Sequence, residues 1–265
     1  MTSSPPTVSQ VRRVAALDDL EVLRTRLVGH SFPQHVHDTY VVQLVRSGRD
    51  HCPVSGATAR RDELFVHGPQ VSHGGESGPD EPLRYEACYP SPRLMDDVLG
   101  LAPGEAPAVG TRVLGGPTVA RVAAALFNDL GHASLATQRA RLRDVLELVV
   151  EDASSEQDHA DTLAEPLRRA RDHLRRHVAR DVTTHELSGV CGLSPSHLIR
   201  AFKRAFRITP RQYLISQRVA AARHLLAAGR PIADVAHELG FADQSHLTRQ
   251  CKRLTTLSPG QLRRA

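Results

Sequence analysis

The chain is poor in several residue types. It has no tryptophan, and aromatic residues make up 4% of it. Lys203 and Lys252 are its only lysines, so arginine supplies nearly all the positive charge. No apolar run approaches the ~18 residues of a membrane-spanning helix. No cysteine lies in a Cys-x-x-Cys pair, so we expect reduced thiols in a cytoplasmic protein at Cys52, Cys88, Cys191 and Cys251.

The first ten residues are polar and contain two prolines. They lack the apolar core of a secretory signal peptide. We therefore predict a disordered tail over residues 1–10.

Charge is divided unevenly along the 265 residues. Residues 163–265 contain 19 Lys and Arg against 7 Asp and Glu, a net charge of +12, whereas the rest of the chain carries −7. A basic C-terminal part behind an acidic front predicts a polyanionic partner for the C-terminal part alone.

A short repeat organises this basic part. The pattern Ser-His-Leu-x-Arg occurs at 196–200 and again at 245–249, an offset of 49 residues, and a Lys-Arg pair and a hydroxyl-Pro pair recur at the same offset. Each copy predicts a helix, with Ser194 and Asp243 as N-caps. A short amphipathic helix and a Gly-containing turn precede each copy, which is the helix-turn-helix order. We place these motifs at 183–205 and 231–253, with a spacer helix at 210–228. The alternative is a helical repeat with two solvated basic faces.

One set of residues in this region resembles the signature of the AraC/XylS transcription regulators: Arg218, Ala222, Leu225, Leu226, Ile232, Val235, Ala236, Gly240, Phe241, Asp243, Gln244, Ser245, Lys252, Ser258 and Pro259. The resemblance implies an all-α DNA-binding domain over 163–265 that reads two successive major grooves. Arg207 and Thr256 stand where the family usually has Gly, and Cys251 stands where it usually has Phe.

The family motif also implies which side chains face DNA. Arg pairs with guanine edges, Ser and His meet bases or phosphates, and an apolar side chain can contact the thymine methyl group. The base-edge candidates are Ser196, Ile199, Arg200, Ser245, His246 and Arg249. The phosphate candidates are Lys203, Arg204, Lys252 and Arg253, and His197 completes the DNA-facing set.

The front of the chain has a different pattern, with short apolar runs separated by Gly, Pro and Asp. These runs predict β-strands in a barrel or sandwich. We place the strands at 11–17, 20–27, 40–45, 63–66 and 83–89, a loop at 74–80, helices within 117–152 and an acidic linker at 153–162. The fold class is therefore α+β, with a sheet domain at 11–152 before the helical domain.

Two stretches of this front part resemble the cupin motifs of AraC-type sensor domains. One has Gly29, His35, His37 and Gly48, and the other runs from Asp62 through Gly68 and Pro69 to His73. His35 and His37 are two apart on a strand, so they share a face. We predict that these two and His73 bind an organic effector. Three imidazoles also suit Zn, Cu, Fe or Ni, but Val41 or Val42 occupies the place of the cupin carboxylate ligand, so we expect no metal.

Together these patterns predict a bacterial transcription regulator and not an enzyme. Its partners would be promoter DNA, a small-molecule effector, a second copy of the chain and, for an activator, RNA polymerase. The helices within 117–152 either pack on the sheet domain or form the dimer contact. Two rival hypotheses are a cupin oxygenase with a DNA-binding appendage and an architectural DNA binder without an effector.

Overall fold

The computed structural model describes residues 8–78, 81–155 and 164–265. The chain forms two compact units. The first comprises the chain up to Phe32 and from Asp38 to Asp158, and the second comprises Pro33–His37 and the chain from His159 onward. No helix in the described part of the chain is long and apolar enough to cross a bilayer.

Among the described residues of the front half, ten strands build two sheets. The six-stranded sheet has the order β1, β2, β9, β4, β7, β10, and the four-stranded sheet has the order β3, β8, β5, β6. The strands are β1 (Val8–Val14), β2 (Leu20–Leu27), β3 (Ser31–His35), β4 (Val41–Ser47), β5 (Arg49–His51), β6 (Thr58–Arg60), β7 (Leu64–His67), β8 (His73–Ser77), β9 (Leu83–Cys88) and β10 (Thr111–Leu114).

Three helices cover one face of the six-stranded sheet: α1 (Pro92–Leu99), α2 (Pro117–Asp129) and α3 (Leu135–Ser155). Val42 and Leu44 of β4 are fully buried in this layer. Because side chains alternate along a strand, Gln43 between them faces the other side, toward the four-stranded sheet. Glu86 links three strands of the large sheet, since it accepts hydrogen bonds from Arg24 and Arg46, each at 2.6 Å. The face opposite the helices combines Gln43 with its buried cross-strand neighbours Phe65 and Ala87.

Several predicted boundaries in this half are wrong. The predicted strand 11–17 ends at Val14 and gives way to a 3-10 turn, because Asp18 and Asp19 have positive φ values of 54° and 52°. Residues 8–10 of the predicted tail lie in β1, where they pair with Arg26, Thr25 and Arg24. The rest of that tail lies outside the described residues.

Two further predictions need correction. The predicted loop at 74–80 begins as β8, because pairing of Glu76 and Ser77 with β5 outweighs the low strand propensity of its glycines. The predicted linker at 153–162 begins inside α3, where Ala153 is buried; residues 156–163 lie outside the described part of the chain. The pattern also missed α1, whose start is capped by Ser91 accepting a hydrogen bond from the Leu94 amide.

The C-terminal half is helical, so the structure confirms the two-domain α+β class. Its helices are α4 (Glu165–Arg176), α5 (Thr184–Cys191), α6 (Pro195–Phe206), α7 (Pro210–Ala227), α8 (Ile232–Glu238), α9 (Gln244–Thr255) and α10 (Pro259–Leu262). Helix α7 contacts α4, α6, α8, α9 and α10. A capping box of Thr209 and Gln212 fixes its first turn.

Helix α7 is buried on more sides than an amphipathic spacer would be. Besides Tyr213, Leu214 and Leu226, it buries polar and charged residues, which are Ser216, Gln217, Arg218 and Arg223. Other helices of the second unit surround α7. The single apolar stripe in its sequence does not predict this burial.

Candidate nucleic-acid interface and effector site

Helix α6 has an apolar side and a polar side. Leu198, Phe202 and Phe206 are buried against α7 and the rest of the core. The phenyl rings of Phe202 and Phe206 lie 4.3 Å apart between centroids. The exposed side carries the predicted DNA-facing residues Ser196, His197, Ile199, Arg200, Lys203 and Arg204. Ile199, 39% exposed, is one of three large apolar residues exposed in the described chain.

Helix α9 repeats this arrangement. Asp243 caps its start, accepting a hydrogen bond from the His246 amide at 2.6 Å, whereas Ser194 stands at the start of α6 without such a bond. Leu247 and Cys251 are fully buried. Burial raises the pKa of the Cys251 thiol to about 12, so this cysteine serves as a small core residue. Ser245, Arg249, Lys252 and Arg253 are exposed.

His246 differs from the other candidates because its ring turns back on the preceding turn. It is half-buried, its Nδ1 accepts a hydrogen bond from the Ala242 amide at 3.3 Å, and its ring lies edge-on to Phe241 at 5.4 Å. Its counterpart in the repeat, His197, is exposed. The repeat aligned the two histidines, but the turn before α9 gives His246 a local packing role.

The basic side chains of both exposed faces are available to a ligand. Within the described ranges, the side chains of Arg200, Lys203, Arg249 and Lys252 make no hydrogen bond or ion pair. Gln244, at the first position of α9, is also exposed. Gln244 is not among the predicted DNA-facing residues, and the repeat places Pro195 at the equivalent position. These groups can neutralise phosphates or donate to base edges without first breaking an internal bond.

An ionic cluster holds α5 at the start of the first motif. Glu186 accepts from His173 at 2.8 Å and also pairs with Arg180. The hydrogen bond from Arg180, followed by that from His173, lowers the pKa of Glu186 to about 2. Thr183 caps the same helix by accepting from the Glu186 amide at 3.1 Å. These contacts join the first turn of α5 to α4 and to the connection between the two helices.

The predicted effector histidines are all buried. His35 Nε2 and His37 Nε2 lie 3.1 Å apart, and His35 Nδ1 lies 2.8 Å from the Pro33 carbonyl. Burial lowers the pKa of His35 to about 4; the bond to Pro33 opposes this shift and the charge of Arg223 adds to it. His35 is therefore neutral near pH 7.

The third predicted histidine lies beside another that the sequence did not single out. The ring of His73 stacks on that of His67, with centroids 4.2 Å apart and planes at 7°. His67 Nδ1 lies 3.0 Å from Thr111 Oγ1. His35 and His37 belong to the second unit, and His73 belongs to the first.

A buried polar pair joins the two sheets of the first unit. Gln43 Nε2 donates to Asp50 Oδ2 at 2.7 Å, while Asp50 Oδ1 has no hydrogen-bond partner among the described residues. Burial raises the pKa of Asp50 to about 6, against the opposing bond from Gln43 and the charge of His51. The sequence reasoning missed this pair; its signal was a glutamine inside the apolar run 41–45.

Family comparisons agree with both halves. The model described as an AraC-like ligand binding domain matches residues 19–149, and a helix-turn-helix domain model matches residues 187–265. The chain is 28% identical over 242 residues to YbfI, an uncharacterized HTH-type transcriptional regulator of Bacillus subtilis, covering 86% of each chain. It is 39% identical over 75 residues to the arabinose operon regulatory protein of Escherichia coli, covering 28% of this chain and 25% of that one.

A solved structure shows the same fold over nearly the whole chain. ToxT from Vibrio cholerae superposes with a TM-score of 0.61 at 11% identity, covering 91% of this chain and 97% of that one. At this identity the likeness bears on fold alone. The two family matches, read with the exposed basic faces of α6 and α9, establish that the chain belongs to the AraC family of transcription regulators, with a ligand-binding domain ahead of a helix-turn-helix DNA-binding domain.

Proposed function

We propose that α6 and α9 read the operator and that the two exposed faces described above form the DNA contact. The observation that carries this proposal is the repeated polarity of the two helices. Each buries its Leu-x-x-x-Phe or Leu-x-x-x-Cys side and exposes an Arg, a Lys and small polar residues at matching positions. A recognition helix needs one packed side and one side free to enter a major groove.

Within this contact we assign different roles to the two kinds of basic residue. Arg200 and Arg249 lie in the middle of each exposed face, where a planar guanidinium can pair with guanine O6 and N7. Ile199 offers the apolar surface that suits a thymine methyl group. Lys203, Arg204, Lys252 and Arg253 lie toward the helix ends and fit phosphate contacts, which position the protein without carrying sequence information.

We propose an organic effector that contacts His35, His37 and His73, without a metal. The 3.1 Å bond between His35 and His37 supports this assignment, because a shared proton satisfies both nitrogens. The cupin carboxylate position is apolar, so a set of two histidines and one carboxylate is incomplete. Metal analysis of the purified protein tests this point, and a stoichiometric transition metal would contradict it.

The effector's class is a question for screening. ToxT structures contain an unsaturated fatty acid or a naphthalenyl butenoic acid. Those ligands suggest that small carboxylic acids belong in a first screen of this protein.

We also propose a homodimer, contact with RNA polymerase during activation, action in the cytoplasm and no catalytic activity.

Footprinting on the DNA upstream of the protein's own gene tests the DNA proposal. It should use the full chain and a fragment of residues 163–265 at near-physiological salt. We expect a discrete footprint over two adjacent major grooves from both. Protection by the full chain alone would show that dimerisation is essential for affinity. Protection without sequence preference would overturn the proposal in favour of an architectural DNA binder.

A further inference from the structure

Arg218 is a charged residue in the interior of the DNA-binding unit. It lies in α7, and its side chain is 3% exposed. A buried guanidinium is costly unless it is hydrogen-bonded. Each of the three nitrogens of Arg218 donates a hydrogen bond, and the partners lie on two different parts of the unit.

The three guanidinium nitrogens bind three groups. Nε donates to the Val178 carbonyl at 2.9 Å, one terminal nitrogen donates to the Gly240 carbonyl at 2.7 Å, and the other donates to Asp181 Oδ1 at 3.0 Å. The guanidinium carbon also lies 6.0 Å from the centre of the Phe241 ring. Residues 178–181 lead into the first helix-turn-helix motif, whereas residues 240–241 form the turn of the second.

The backbone at Gly240 is shaped to admit this contact. Gly240 has a φ of 68°, and a Cβ atom there would lie 2.8 Å from both the Ala179 carbonyl and an Arg218 nitrogen. The turn before α9 therefore packs directly on the connection before α5, with the guanidinium between them. A rigid fork of donors suits such a junction better than the single ammonium of lysine.

We propose that Arg218 is a positioning residue that sets the relative placement of α6 and α9, and hence the half-site spacing that one chain accepts. This inference rests on the proposed reading of DNA by both helices. Helix α7 contacts α6 and α9, but apolar contacts allow sliding. The directional bonds of Arg218 hold one arrangement. Two recognition helices read successive grooves only when separated by about 34 Å, so a loose junction weakens discrimination between spacings.

The test compares full-length wild type with Arg218→Met and Arg218→Lys. Arg230→Met is the matched control, because it removes an equal charge just beyond the C-terminal end of helix α7, where Arg230 makes an exposed ion pair with Glu238. A binding site is first selected from randomised DNA with the wild-type protein. Dissociation constants are then measured by fluorescence anisotropy on that site, on versions with one base pair inserted or removed between half-sites, and on versions with one half-site scrambled.

We expect Arg218→Met to bind the selected site about tenfold or more weakly, since charged hydrogen bonds are lost. Its affinity for DNA with one half-site scrambled should stay within about twofold of wild type. The loss of affinity that Arg218→Met shows on DNA with altered spacing should be smaller than that of wild type. Arg218→Lys should fall between wild type and Arg218→Met, and Arg230→Met should match wild type.

The possible failures are distinct. If wild type shows no penalty for altered spacing, the proposed reading by two helices fails. If wild type shows the penalty and both Arg218 variants keep it in full, the positioning role is wrong. An equal loss on intact and scrambled sites would also overturn it, because that result indicates general destabilisation. If a circular dichroism melt shows that Arg218→Met is unfolded at the assay temperature, the spacing penalty of Arg218→Lys tests the positioning role instead.

Discussion

At the scale of single residues, Thr256 and Arg207 end the two recognition helices in the left-handed region, with φ values of 62° and 58°. Non-glycine residues rarely adopt this conformation, and its strain is greatest for a β-branched residue. In the signature that the chain resembles, both positions usually hold Gly. The left-handed strain at these two residues is therefore where this chain departs from that signature.

We predict that Thr256→Gly stabilises the protein by about 1 kcal/mol, because it relieves left-handed strain at the cost of some unfolded-chain entropy. Denaturant unfolding of the full chain measures the change. Gly192→Ala is the matched control, and it should destabilise the protein. Gly192 has a φ of 69°, and a Cβ atom added there would meet no other atom within 4 Å. Only the left-handed backbone strain therefore changes the free energy of unfolding. Destabilisation by Thr256→Gly would show that the Thr256 side-chain contacts outweigh the strain.

Asp50 predicts a specific pH dependence of stability. Burial raises its pKa to about 6 from an ordinary value of 3.8. The folded protein therefore keeps this proton where the unfolded chain has lost it, and the contribution of Asp50 to stability is lost as pH rises from about 4 through 6. Asp50→Asn cannot titrate, so its stability relative to wild type should rise by up to about 3 kcal/mol between pH 4 and pH 7.

Urea unfolding of both proteins across this pH range measures the difference. Both should show the same pH dependence from all other groups, which cancels in the comparison. A gap between the two proteins that stays constant with pH would mean that Asp50 titrates normally in the folded state.

At the scale of elements, the two recognition helices should respond differently to loss of an arginine and loss of a lysine. We predict that Arg200→Ala costs about 1–3 kcal/mol on the preferred site and relaxes base preference at one position. Selection from randomised DNA, sequenced for wild type and variant, measures that preference. An equal loss on every sequence would show that Arg200 binds only phosphate.

Lys252→Ala serves as the contrasting variant. We expect it to weaken binding by a similar factor on all sequences and to make the dependence of affinity on salt shallower by about one phosphate contact. Anisotropy titrations over a series of KCl concentrations give this slope. A change in base preference without a change in slope would reverse the assigned role.

Pattern predicted the C-terminal elements well and some N-terminal ones poorly. Helices α6 and α9 are predictable from their N-cap residues and from apolar residues four positions apart, such as Leu198 and Phe202. The strand β8 is short and rich in glycine, so it depends on pairing with its neighbours β3 and β5. Local propensity cannot report a partner that is distant in sequence.

At the scale of the whole molecule, the uneven charge predicts a difference between the full chain and its basic half. Residues 163–265 carry +12 and the remainder −7. We predict that the fragment binds non-specific duplex DNA more tightly than the full chain at low salt, because the acidic half repels phosphates. The difference should vanish as salt is raised above about 0.3 M, where screening is short-ranged.

Anisotropy titrations of both proteins on one scrambled duplex measure this difference. A monomeric state of each at the working concentration must be verified by light scattering. Tighter binding by the full chain would show that association through the front half outweighs the charge repulsion.

The sequence by itself determined the two-domain class and the family, and it supplied the candidate residues for DNA contact. These depend on local patterns, namely the 49-residue repeat, the caps and the uneven charge. Only the tertiary structure decided the roles of Arg218, His246, His67 and Asp50. Each gains its role from a neighbour that is remote in the chain or from a side-chain direction set by packing. In the sequence, Arg218 is one polar residue on a helix. The folded chain places Val178, Asp181 and Gly240 around its guanidinium.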